Sequence, residues 1–126
     1  MMISMTIDIL IVSYAKDLEW FRWSTAILEK NLTGYRRIVA VVPEQDAKLF
    51  KPIADERKAM SLVPIKDWPG QGYYWQQNVK VNADQFTDAD CIAHIDSDVF
   101  VKEPTDVSAF FVDNKPAWLW QFYSAE

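Results

Sequence analysis

A chain of 126 residues with a formal charge of −5, half of it hydrophobic and a quarter charged, has the length of one domain and the composition of a globular protein with a core. The acidic balance argues against nucleic acid and against an anionic membrane surface, since both need a basic face. One cysteine, Cys91, excludes an internal disulfide and fits a reducing compartment, and no segment has the length of a membrane-spanning helix.

The opening run from Thr6 to Ser13 is rich in β-branched residues and reads as a buried strand of a parallel sheet. It has no basic residue before it and no small-residue cleavage site after it, so a signal peptide is not expected and a cytoplasmic protein is. Leu18, Phe21, Thr25, Leu28 and Leu32 recur at helical steps, with Asp17 placed as N-cap and Gly34 as the C-terminal cap. A second strand is predicted at Arg37 to Val42, closed by Pro43. A short helix follows from Glu44 to Phe50, stopped by Pro52, and then a third strand near Met60 to Val63.

Ile65 to Gly72 reads as a loop, with Pro64, Pro69, Gly70 and Gly72 as breakers. A helix is predicted from Tyr73 to Ala83 and a buried strand from Cys91 to Ile95, which delivers Asp96-Ser97-Asp98 at its carboxyl end. Thr105 is placed as the cap of a helix to Val112, and Ala117 to Tyr123 as a final strand. No repeat or low-complexity segment interrupts this order. Strands alternating with helices imply one α/β domain over 1–126, a three-layer Rossmann-like architecture with a mainly parallel sheet and right-handed crossovers. Ligands of such sheets bind outside the carboxyl ends of the strands, where both Ser13 to Asp17 and Asp96 to Asp98 fall.

Three constellations carry chemistry. In His94-Ile-Asp-Ser-Asp-Val-Phe100, an extended segment would turn Asp96 and Asp98 the same way, and two close carboxylates repel unless a cation joins them. Oxygen ligands suit Mn²⁺ or Mg²⁺, which could then neutralise a diphosphate leaving group. A solvated acidic turn is the plain alternative. On the helix from Tyr73 to Ala83, Gln76, Gln77 and Lys80 share a face that could receive phosphate or sugar hydroxyls; alternatively Lys80 is solvated while Tyr74 and Val81 pack inward. After the first strand, Ser13, Tyr14 and Asp17 occupy a turn suited to a base or ribose, and Asp17 equally suits a helix cap. His94 reads as a core histidine, and the six tryptophans as core residues. One histidine and one cysteine exclude the usual zinc site, and neither a Walker loop nor a Gly-x-Gly-x-x-Gly fingerprint is present.

Taken in order, the strand with Ser13-Tyr14 and Asp17, the Gly72-x-x-x-Gln-Gln-x-x-Lys80 helix and Ile95-Asp-Ser-Asp-Val-Phe100 resemble the GT-A class of glycosyltransferases. The likeness is nearest to an uncharacterised bacterial glycosyltransferase-like family, and it runs from about Thr6 to Tyr123. It implies a nucleotide-diphosphate sugar donor and a divalent metal, with transfer of the sugar to an acceptor hydroxyl. Asp98 would coordinate the metal, with Asp96 near the ribose or sugar and also facing the metal. Gln76, Gln77 and Lys80 would face the donor, and Ser13, Tyr14 and Asp17 the nucleoside end. GT-A enzymes usually continue past this point, so the chain resembles an amino-terminal half with an unfinished sheet, and self-association is expected. Two other readings stand beside this one. The first is a non-catalytic nucleotide-binding or interaction module. The second is a haloacid-dehalogenase-type phosphatase, which usually carries its Asp-x-Asp on the first strand rather than a late one.

Overall fold

The computed structural model describes residues 5–66 and 72–117. In chain order they form β1 (Ile7–Val12), α1 (Leu18–Asn31), β2 (Leu32–Thr33), β3 (Ile38–Pro43), α2 (Ala47–Glu56), β4 (Met60–Ile65), α3 (Gly72–Val81) and β5 (Cys91–His94). Three two-residue strands follow: β6 (Thr105–Asp106), β7 (Phe111–Val112) and β8 (Lys115–Pro116). The central sheet has the order β4-β3-β1-β5, and every pairing in it is parallel.

β1 and β3 lie in the middle and are buried along their whole length, which is why they read as almost unbroken apolar runs. Alternate residues serve opposite faces. Ile9, Ile11, Ala40 and Val42 pack with Phe21 and Leu28 of α1 and with Phe50 and Ile53 of α2. Phe21 and Phe50 meet edge-on, with ring centroids 4.9 Å apart. On the other face Leu10, Val12, Val39 and Val41 pack with Trp75 and Val79 of α3. Three layers result. The crossovers through α1 and α2 build the sheet outward from β1 to β4, and α3 then leads to β5 on the opposite side of β1. The carboxyl ends of β1 and β5 are therefore neighbours at the point where the winding reverses, the place such sheets leave a crevice.

Several expectations need correction. α2 continues to Glu56 with Pro52 inside it, because Phe50 and Ile53 are buried on either side and their burial offsets the lost hydrogen bond. β4 likewise runs through Pro64, which it tolerates as the edge strand among the described residues, since an outer side needs no N–H. β5 is half-buried rather than buried, because no strand lies beyond it among the described residues. His94 at its end is exposed and is no core histidine.

Gly34 does not cap α1. It lies in the turn after β2 at φ 91°, where a Cβ would come within 2.7 Å of Asp106 Oδ1. The helix expected from Thr105 to Val112 is absent from the described fold. There β6 pairs with β2, a 3₁₀ turn covers Val107–Phe110, and β7 and β8 form a hairpin. Asp106, not Thr105, caps that turn by accepting from the Ser108 N–H at 2.9 Å. The hairpin turns on Asp113 and Asn114, both at positive φ, residues that tolerate the left-handed region better than most. Of the final strand expected at Ala117 to Tyr123, only Ala117 is described, and Pro69 and Gly70 of the earlier loop also lie outside the described residues. No helix among the described residues is long and apolar enough to cross a membrane.

Candidate functional site

At the end of β1 the Ser13 N–H donates to the Val41 carbonyl at 3.0 Å, holding the strand end against β3. The chain then turns: the Asp17 N–H donates to Tyr14 O at 2.9 Å, and the Ala15 N–H donates to Asp46 Oδ2 at 2.9 Å. Asp17 occupies the N-cap position of α1, yet its side chain makes no capping bond. Its carboxylate instead accepts a long contact, 3.5 Å, from Ser97 Oγ. Beside it, the Ile95 N–H donates to Leu10 O at 3.1 Å, and the Val99 N–H donates to Asp96 O at 3.1 Å. Asp96 to Val99 is thus a turn. Asp96 and Asp98 reach the same cleft through that turn rather than through the extended backbone expected of them.

The third wall is α3. Trp75 and Val79 are buried against the sheet, and the Trp75 Nε1–H donates to the Lys66 carbonyl at 3.2 Å. That anchoring presents Tyr73, Gln76, Gln77 and Lys80, spaced three, four and seven apart, to the cleft. The inward residues are not Tyr74 and Val81, which are exposed at 63% and 81%. A cleft of about 270 Å³ is enclosed by Val12 and Asp17, by these four residues of α3, and by Asp96, Ser97 and Asp98.

The structure therefore brings together Asp17, Gln76, Gln77, Lys80, Asp96 and Asp98, which lie far apart in sequence. Ser13 and Tyr14 do not line the cleft; Ser13 is fully buried, and its Oγ has no hydrogen-bond partner. Tyr73 and Ser97 are members that sequence reasoning missed. Ser97 had a signal, its place between two aspartates, and Tyr73 had another, its position one turn before Gln76 and Gln77. Among the tryptophans, Trp75 belongs to the core as expected, whereas Trp20 and Trp23 are exposed, with Trp20 against Phe100 at 6.1 Å between centroids.

Three carboxylates and one cation line this cleft. Lys80 Nζ is 3.0 Å from Asp96 Oδ1, and both partners reach solvent, at 28% and 61% side-chain exposure. Asp98 is exposed and has no hydrogen bond or ion pair among the described residues. No group of three His, Cys, Asp or Glu side chains spaced to hold a metal occurs among the described residues. Asp96 and Asp98 could supply only part of a coordination shell. That partial set fits Mg²⁺ or Mn²⁺, which bind through one or two carboxylates and take the remaining oxygens from water and ligand phosphates. His94 stands just outside the cleft. Desolvation first, and the Lys80 charge second, push its imidazole below the ordinary range, while Asp96 pulls the other way.

A second acidic site lies at the opposite end of the sheet. Asp8 of β1 is fully buried and accepts from Arg36 Nε at 2.9 Å and Arg36 Nη2 at 2.8 Å, from Arg37 Nε at 3.1 Å, and from the Thr87 hydroxyl. Arg36 also reaches Asp88 at 2.6 Å. Burial alone would raise the Asp8 pKa, but hydrogen bonds from Arg36, Thr87 and Arg37 together outweigh it and lower the pKa to about 2. This carboxylate is saturated by its own chain and is structural.

Fold and cleft together define an α/β protein with a mainly parallel central sheet, compatible with a Rossmann-like fold, and with a polar crevice where the winding reverses. No protein-family model matches the chain, and no curated protein matches it either.

Proposed function

We propose that this chain binds a nucleotide-diphosphate sugar through Mn²⁺ or Mg²⁺, as the donor-binding part of a GT-A-type glycosyltransferase that passes the sugar to an acceptor hydroxyl. One observation carries the reading: side chains from three separate motifs, after β1, along α3 and after β5, line a single cleft at the switch point of the sheet. Asp98, with no partner of its own among the described residues, is the first metal ligand, and Asp96 faces both metal and ribose. Lys80 meets the phosphates, Gln76 and Gln77 offer amides to phosphate or sugar oxygens, and Asp17 takes the nucleoside end. Ser13 and Tyr14 support that last role from behind, as the turn that sets Asp17. When bound, the cation neutralises the diphosphate and stabilises it as a leaving group. The described cleft, about 270 Å³, is just under the roughly 300–1,000 Å³ usual for small-molecule sites. It suits the diphosphate and its cation, with base and sugar extending past the rim.

Calorimetry with UDP and GDP, with Mn²⁺ and then with a chelator, tests this directly. Binding that appears with the metal and vanishes with the chelator is the expected result; failure to take up either metal in the presence of either nucleotide sinks the proposal. Incubation with UDP- and GDP-sugars then separates roles. Release or transfer of sugar marks an enzyme, and tight binding with no turnover marks a binding module. The open side of β5 among the described residues supports pairing between chains, and a monomeric mass at micromolar concentration counts against it.

A further inference from the structure

We infer that Lys80 is a shared cation: it closes on Asp96 when the cleft is empty and moves to the ligand's phosphate oxygens when a divalent metal takes Asp96. The inference rests on the metal reading above and adds a coupling to it, since one side chain would link metal uptake to diphosphate affinity.

Four observations support the exchange. Lys80 is the one cationic side chain among the described residues lining the cleft, so a diphosphate has no other protein cation to meet there. Its ammonium has three donors, and among the described residues one contact, to Asp96 Oδ1 at 3.0 Å, engages it. Both partners are solvent-accessible, at 28% and 61%, so the pair is a weak surface ion pair that a divalent cation can displace. Finally, the helix beneath Lys80 is fixed by Trp75 and Val79, so only the flexible lysine stem need rotate, along a wall already lined by Gln76 and Gln77. Asp98 requires no such exchange. A metal can land on it first, and taking Asp96 as well then releases the lysine.

The competing role is positional, with Lys80 holding Asp96 ready for the metal. The two roles predict opposite signs. If Lys80 competes for Asp96, Lys80→Met binds Mn²⁺ alone about two- to fivefold more tightly than the native chain. The same variant then binds UDP about tenfold more weakly at saturating Mn²⁺, because a charge-assisted contact is gone. Lys80→Arg behaves like the native chain in both titrations. If Lys80 only positions Asp96, Lys80→Met weakens Mn²⁺ binding instead.

The experiment titrates Mn²⁺ by the loss of its free electron-paramagnetic-resonance signal, without nucleotide, and UDP by calorimetry. Circular dichroism verifies that each variant is folded. Asp96→Asn provides an independent route: with chelator present, where native binding is lost, it retains measurable UDP binding, since Lys80 is released and a negative charge removed. Mn²⁺ binding by Lys80→Met that is equal to or weaker than native overturns the shared-cation inference, and so does undiminished UDP affinity. Should the native chain take up no Mn²⁺ even with UDP, the metal reading itself fails and this inference falls with it. Uptake by the native chain without tightening in Lys80→Met removes the inference alone.

Discussion

Asp8 and the Asp96–Asp98 pair sit at opposite ends of one parallel sheet and meet their counter-charges differently. At the amino end, Asp8 is buried and held by two arginines and a threonine from its own chain. At the carboxyl end, Asp96 has one solvent-accessible lysine, and Asp98 has no partner among the described residues. The same functional group is used up in one place and left available in the other. The comparison teaches that unsatisfied charge in a cleft, rather than charge itself, marks where a ligand is to be sought.

The sharpest way to test the contrast is to remove one carboxylate from each end. Asp98→Ala is expected to weaken metal-dependent nucleotide binding by more than the roughly 10–100-fold typical of outer-shell changes, with the urea midpoint unmoved. Unchanged calorimetric affinity would end the metal assignment. Asp8→Ala should do the reverse, lowering stability by about 2 kcal/mol because it removes the hydrogen bonds that a buried carboxylate accepts from Arg36, Arg37 and Thr87. Nucleotide affinity should stay within about twofold, small against the tenfold steps of specific contacts. A variant at Asp8 that binds poorly yet melts normally would break the comparison.

Acid titration sharpens it further. The folded Asp8 pKa, about 2, lies below its ordinary 3.8, so its contribution is fully present above about pH 4 and is lost as the pH falls toward 2. The expected loss is about 2 kcal/mol, read as a falling urea midpoint across that window, and Asp8→Asn should flatten the curve there. The smallest effect concerns the scaffold alone. Gly34→Ala forces a Cβ into Asp106 and Val107 at a positive φ, and should cost about 1–2 kcal/mol in thermal or urea unfolding without touching nucleotide affinity.

Much of the fold was legible because its signals are local. The apolar runs of β1 and β3, the helical repeat of α1, and the face shared by Gln76, Gln77 and Lys80 are periodicities that a short window contains. The Asp-x-Asp step at the end of β5 was legible for the same reason, as was Asp17 after β1. Prolines misled: Pro52 and Pro64 are breakers by local chemistry, and only burial around the one and an edge position for the other made them tolerable. The segment from Thr105 to Val112 misled too, because pairing of β6 with β2, 73 residues away at Thr33 and Asp106, decided its form.

Residue order alone thus determined the central strands β1, β3 and β5, the existence of α1, α2 and α3, and which polar groups stand at strand ends, since each depends on neighbours a few positions away. Tertiary structure decided whether each charge is answered. Asp8 meets Arg36 across 28 positions, and Lys80 meets Asp96 across 16. Ser13 turned inward while Ser97, 80 positions from Asp17, came to face it. Such pairings follow from the order of strands in the sheet, a non-local choice, because a carboxylate is neutralised by whatever lies near it in space.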